Sequence, residues 1–143
     1  MNTIRRIAPA AALAAAFFAG TGATAQVQLE QAVGRAQAAW IQHDVQALVQ
    51  HSDTVRLRIP GIAASASVQP EQAARLLGRY LDPAQERTFD LVDVRRLADD
   101  HAYAEVERRY VVKGTDEELE ETVFLGFRLL DGSWRLREVR VTP

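Results

Sequence analysis

From residue 87 to residue 142 the chain alternates with a period of two, broken only by short polar turns, so its back half can hardly be anything but sheet. The strands expected are 87–97, 102–113, 119–130 and 133–142. They are separated by Asp99-Asp100, by Lys113-Gly114-Thr115-Asp116 and by Asp131-Gly132, the last a strong hairpin signal. Connections this short join antiparallel neighbours, which makes a meander. Val123, Leu125, Phe127 and Leu129 fall on one face of the third of these strands. In the second, Ala102, Ala104, Val106, Tyr110 and Val112 share a parity with Arg108, a cation on an otherwise apolar face. In the last, Trp134 and Leu136 are out of phase with Val139 and Val141, and one extra residue near Arg137 or Glu138 repairs the phase. A bulge is therefore expected there, and a sheet bent by it can wrap around helices and leave a cavity.

The helices come first in the chain. Leu29, Val33, Ala36 and Trp40 form a stripe at helical spacing over 28–42. Asp44 is placed to cap a second short helix whose Val45, Leu48 and Val49 face inward. Val55, Leu57 and Ile59 alternate with Arg56 and Arg58 in a strand that ends at Pro60-Gly61. A loop of small residues follows over 61–69, and Pro70 and Glu71 then open a helix through Leu76, Leu77, Tyr80 and Leu81. No repeat or linker interrupts this order. The pattern predicts one α+β domain, with N-terminal helices packed on a strongly curved antiparallel sheet.

Residues 1–25 have the make-up of a cleavable secretory signal: Arg5-Arg6, an apolar alanine-rich run over 7–19, glycines at 20 and 22 that break the helix, and Ala23-Thr24-Ala25 as the cleavage site. The apolar run is short for a membrane span of ~20 residues. Ala8-Pro9 after the arginine pair fits general secretory export better than the twin-arginine route. The mature domain is then 26–143, exported to the periplasm or secreted. Without Arg5 and Arg6 the 17 basic residues become 15 against 19 acidic ones, a net charge of −4. That balance argues against nucleic acid or an anionic membrane as partner. The chain has no cysteine, which removes disulfides and thiolate metal sites.

Two helices, a strand ending in Pro-Gly, a third helix and a long meander form an ordered set. His43-Asp44-Val45-Gln46-Ala47-Leu48 running into Val55-Arg56-Leu57-Arg58-Ile59-Pro60-Gly61, together with Asp131-Gly132-Ser133-Trp134, resembles the nuclear transport factor 2-like superfamily, which includes ketosteroid isomerases and polyketide cyclases. The resemblance spans about residues 28–142 and is closest in look to small exported members of unknown function. It implies a cone-like fold, a pocket between helices and sheet, and a homodimer through the sheet's outer face. Isomerase-like members carry a general-base aspartate before the proline that ends the first strand; here that position is Ile59. An aliphatic side chain takes no proton, which speaks against an enzyme and leaves no catalytic residue to nominate.

Other chemical groups have plainer explanations. A His43–Asp44 dyad competes with a capping Asp44 beside a surface histidine. His43, His51 and His101 lack metal-ligand spacing, so no metal is expected. The acidic run Asp116, Glu117, Glu118, Glu120, Glu121 lacks the glycine and oxygen spacing of a calcium loop and fits a solvated turn. Arg56, Arg58, Arg109, Arg128, Arg135 and Arg137, with Glu105, Glu107 and Glu120, suit a charge ladder on the outer sheet face. Arg108 needs a partner, because an unpaired buried charge is costly; Asp93 and Glu138 are internal candidates and a ligand carboxylate is the functional one. The pocket candidates are Trp40, Phe89, Arg108, Tyr110, Phe127 and Trp134. The expected function is binding, of a small apolar or amphipathic ligand or of another chain, without a cofactor. A cofactor-free isomerase, cyclase or hydratase is the alternative.

Overall fold

The computed structural model describes residues 21–63 and 67–143. The charged start and apolar run of the expected signal, and the centre of the 61–69 loop, lie outside the described residues. Three helices precede or interrupt the sheet: α1 (Thr21–Ile41), α2 (Val45–Val49) and α3 (Pro70–Leu81). The strands are β1 (Arg56–Arg58), β2 (Ala84–Ala98), β3 (His101–Val112), β4 (Glu118–Leu130) and β5 (Ser133–Thr142).

Helix α1 starts earlier than its apolar stripe indicates and runs through Gly22 without a break. One glycine costs a helix only ~1 kcal/mol relative to alanine, and alanines and glutamines surround it. From the expected stripe, Leu29, Val33, Ala36 and Trp40 are all buried. Asp44 caps α2 by accepting from the Ala47 backbone N–H at 3.1 Å. Pro70 and Glu71 occupy the first turn of α3, where a missing N–H is harmless and a negative charge meets the positive end of the dipole. Ala73, Ala74, Leu77 and Leu81 form the buried face of α3, with Leu76 and Tyr80 at its margin.

The strand order is β1-β5-β4-β3-β2. Strands β2 to β5 form the antiparallel meander, while β1 lies parallel to β5 through Leu57↔Val139. The sheet is thus mixed rather than wholly antiparallel. Strand β1 reaches β5 only after α3 and the whole meander have intervened, so no hairpin forces it to run antiparallel.

Two irregularities shape the surface that meets the helices. In β5, Gly126 pairs with Glu138 and Phe127 with Leu136, which makes Arg137 the extra residue expected from the phase of this strand. In β2 the register shifts between Glu86 and Thr88, so Glu86 and Phe89 share the inner face although their parities differ. The core lies between the helices and this bent face. Val106, Val123, Leu125 and Val139 from the sheet meet Leu29, Val33, Trp40 and Leu77 from the helices.

Candidate functional site

Strand alternation aims Arg108 of β3 at the helices, and the β2 bulge brings Glu86 to the same face. Arg108 is fully buried. Its Nε donates to Glu86 Oε2 at 3.0 Å and its Nη2 to Glu86 Oε1 at 2.5 Å. Nη1 donates to Glu121 Oε2 at 2.9 Å and to the Tyr80 hydroxyl at 2.8 Å. The Tyr80 hydroxyl donates in turn to Glu121 Oε2, and Tyr110 donates to Glu121 Oε1 at 2.9 Å. His43 Nε2 stands 3.0 Å from Glu86 Oε1. One guanidinium therefore joins α3, β2, β3 and β4 through a contiguous hydrogen-bonded network.

Aromatic rings enclose it. The Arg108 guanidinium carbon sits 3.9 Å from the centre of the Tyr110 ring, 5.1 Å from Tyr80 and 5.4 Å from Trp40. Trp40 stacks on Phe89 with centroids 4.8 Å apart, and Tyr80 meets Trp40 edge-on. Such rings present their negative faces to the cation.

The electrostatics follow from burial. Desolvation opposes the charged guanidinium, but the Glu86 hydrogen bonds and the nearby Tyr80, Glu86 and Glu121 outweigh it and hold the Arg108 pKa above its usual value. Burial pushes the Tyr80 phenol far above the ordinary tyrosine range, and the Glu121 acceptor pushes it the same way. Tyr110 rises to about 12, chiefly by burial and then by its bond to Glu121. Both phenols are therefore fixed as neutral donors.

Four of the six nominated residues, Trp40, Phe89, Arg108 and Tyr110, belong to this cluster. The expected partners of Arg108 were wrong, however. Asp93 pairs instead with Arg95 at 2.6 Å, and Glu138 sits opposite Gly126 on β5. Glu86 and Glu121 take that role. Glu121, expected in a solvated acidic turn, instead faces inward, and the parity it shares with Val123 and Leu125 is the signal for that. Glu86 lies just before the expected start of its strand and becomes inward only through the bulge, so alternation could not find it. His43 and Asp44 form no dyad: His43 meets Glu86, while Asp44 caps α2. Ile59 is buried in the core beyond β1. Among the described residues, no three His, Cys, Asp or Glu side chains converge as a metal site.

The other two nominated residues, Phe127 and Trp134, line a different feature. A cleft of about 330 Å³ lies between α1, α2 and the β4–β5 hairpin, with Ala36 and Ala39 on one wall and Phe127, Trp134 and Leu136 on the other. Arg35 and Arg135 also line it. A second hollow, of about 390 Å³, lies on the outer sheet face over Tyr103, Phe124 and Gly126, with Leu97 and Arg140 at its sides.

No family model matches the chain, and no curated protein matches its sequence. Solved structures match its shape. A ketosteroid isomerase-like protein from Erwinia carotovora atroseptica superposes with a TM-score of 0.66 at 17% identity, over 82% of this chain and 96% of that one. An NTF2-like protein with a cystatin-like fold from Novosphingobium aromaticivorans gives 0.59 at 18% identity, over 83% and 81%. A DUF4783 family protein from Bacteroides uniformis gives 0.60 at 15% identity, over 76% and 93%. The chain has the nuclear transport factor 2-like fold, an α+β cone of helices on a curved sheet.

Proposed function

We propose that this nuclear transport factor 2-like domain is an exported, non-catalytic binding protein that takes a small amphipathic ligand in the cleft between α1, α2 and β4–β5. The observation that carries this reading is the division of the six nominated residues. In the cone interior Arg108, Glu86, Glu121, Tyr80 and Tyr110 are spent on one another, and Arg108 has no exposed surface. Acid–base chemistry needs a titratable group within hydrogen-bond reach of a substrate, whereas Glu86 and Glu121 already accept from Arg108 and the two tyrosines. The helix–sheet cleft, by contrast, is open, and its volume falls in the ~300–1,000 Å³ range of small-molecule sites.

Native mass spectrometry of protein isolated from its own host tests this. The expected result is a complex carrying small-molecule mass that is lost on denaturation. Protein that is empty, and whose melting temperature no member of an amphipathic ligand panel raises, overturns the proposal. Cofactor-free turnover of an enolisable ketone or a hydroxyacyl compound would favour the isomerase, cyclase or hydratase alternative.

A second copy of the chain is a further partner, docked on the outer face of the sheet. Support comes from the charge layout of that face. Across the strands, Arg58, Arg140, Phe124, Glu105 and Asp93 stand in one register row, basic at one end and acidic at the other.

A further inference from the structure

The two halves of the outer sheet face treat their arginines differently. On the β2–β3 half, Arg95 pairs with Asp93 at 2.6 Å, and Arg109 pairs with Glu120 at 2.7 Å and Glu107 at 3.2 Å. On β1, β5 and β4 the pattern reverses. Leu57 and Val139 are buried on the inner face, which turns Arg56, Arg58, Glu138 and Arg140 outward. Arg128 and Arg135 face the same way, and Arg137 is the bulge residue beside them. None of these six arginines forms an ion pair among the described residues, although acids outnumber bases in the chain. Arg58 stands directly opposite Arg140, and Arg128 directly opposite Arg135. Like charges facing each other across strands destabilise a sheet, so two such pairs on one face serve no structural end. Between the pairs lies the hollow of about 390 Å³ over Gly126, with Tyr103, Phe124, Arg137 and Arg140 in its lining. The acid in this strip is Glu138, level with Arg56.

We propose that this strip binds a single strand of an acidic polysaccharide, with carboxylates on the two arginine pairs and a sugar ring in the hollow against Tyr103. Arg140 is level with Phe124, and Arg128 lies four residues further along β4, ~14 Å away. One small carboxylate cannot bridge that distance, whereas an anion that repeats along a chain can. Three strands at ~4.8 Å spacing make the strip only ~10 Å wide, and Glu105, Glu107 and Asp93 border it on β3 and β2. A duplex or a membrane surface would overlap those acids; a single chain does not. Arginine forks match carboxylates in geometry as well as in charge, and the proposed export favours a glycan over a nucleic acid. The strip lies across the sheet from the helix–sheet cleft and does not depend on it. A second copy docked on this face would cover it, so the two partners exclude one another.

Calorimetric titration of the mature protein with hexagalacturonate, neutral maltohexaose and hexathymidylate tests this. Hexagalacturonate is expected to bind, with an affinity that falls as salt rises, and maltohexaose is not. Arg58→Gln with Arg140→Gln, and separately Arg128→Gln with Arg135→Gln, should each weaken hexagalacturonate binding at least about tenfold. Arg75→Gln with Arg79→Gln, the same change of charge on exposed positions of α3, should leave it unchanged. Backbone amide shifts on adding hexagalacturonate should concentrate in β1, β4 and β5 around residues 56–58, 124–128 and 135–140, a readout that needs no substitution. Maltohexaose binding as tightly would overturn the role of charge, and hexathymidylate binding as tightly would overturn the polysaccharide assignment. Failure of hexagalacturonate to bind, or equal affinity in both strip variants and the α3 variant, would overturn the strip itself and leave the cleft reading untouched.

Discussion

Arg108 sits where a leucine or valine would satisfy the alternation of β3, and its burial is tolerable only because Glu86 and Glu121 accept its hydrogen bonds and the Tyr80 and Tyr110 rings lie against it. Removing one member of a buried ion pair leaves its partner charged and dry, a loss of ~3–5 kcal/mol. Arg108→Met should therefore lower the unfolding free energy by about that amount, read from urea denaturation midpoints. Adding Glu86→Leu and Glu121→Leu should recover part of the loss, since the stranded carboxylates are then gone. An Arg108→Met protein as stable as the parent would refute the buried network. The same cluster predicts an alkaline limit. The Tyr80 and Tyr110 phenols are neutral in the folded state at pH values where an unfolded tyrosine, with a pKa of ~10, has begun to ionise. Their contribution to stability is full below pH ~10 and is lost as pH rises toward the folded-state value of about 12 for Tyr110. Thermal unfolding between pH 9 and 12 should show this decline, and Tyr80→Phe with Tyr110→Phe should flatten it. Sequence made Arg108 conspicuous because its parity is fixed by neighbours two residues away on either side. It hid Glu86, whose orientation depends on a bulge that no local pattern marks.

Elements differ in how much of themselves they reveal. The bulge in β5 was legible because an apolar pattern brackets it: Trp134 and Leu136 before, Val139 and Val141 after. Opposite it, Gly126 has a reason of its own, because a Cβ there would come 3.1 Å from the Glu138 Cβ. Gly126→Ala should cost ~1–3 kcal/mol by overpacking the bulge, as judged by urea denaturation. Strand β2 offers no such bracket, since Leu91, Val92 and Leu97 are exposed and its periodicity says little about facing. Helix α1 was legible in its buried stripe but not in its start, because Val27, the large apolar residue ahead of Leu29, is exposed and falls off the stripe. Cleavage after Ala25 would remove Thr21–Ala25 from α1, and the first fully buried side chain among the described residues, Leu29, lies beyond that point. Intact-mass analysis of the exported protein should find Gln26 at its N-terminus, with a melting temperature within a degree or two of protein made directly from residue 26. A chain that keeps residues 1–25 would refute the signal assignment.

At the scale of the whole molecule, the helices close one face of the sheet and leave the other uncovered, and the register of five strands sets what that face can meet. In the proposed homodimer, a two-fold axis parallel to the strands and passing over β4 would lay the β1–β5 side of one copy on the β3–β2 side of the other. In the row Arg58, Arg140, Phe124, Glu105 and Asp93, this sets Arg58 against the second copy's Asp93, Arg140 against its Glu105, and Phe124 against itself. Gly126 meets its own copy in the next row, where the absence of a side chain lets the two sheets approach. An axis across the strands would instead stack arginine on arginine, so the charges select one of the two arrangements. The match is incomplete, because Arg56 meets Arg95 and Arg128 meets its own copy. Like charges facing each other oppose association, so the dimer should be modest in affinity. Arg140→Glu alone and Glu105→Arg alone should each weaken dimerisation by about tenfold or more, and the two together should restore it. Sedimentation equilibrium reads all three, with circular dichroism to show that each variant is folded. A parent protein that is monomeric at high micromolar concentration, or single variants that associate as well as the parent, would refute this arrangement. Restoration in the double variant is the decisive result, because general damage to the sheet cannot produce it.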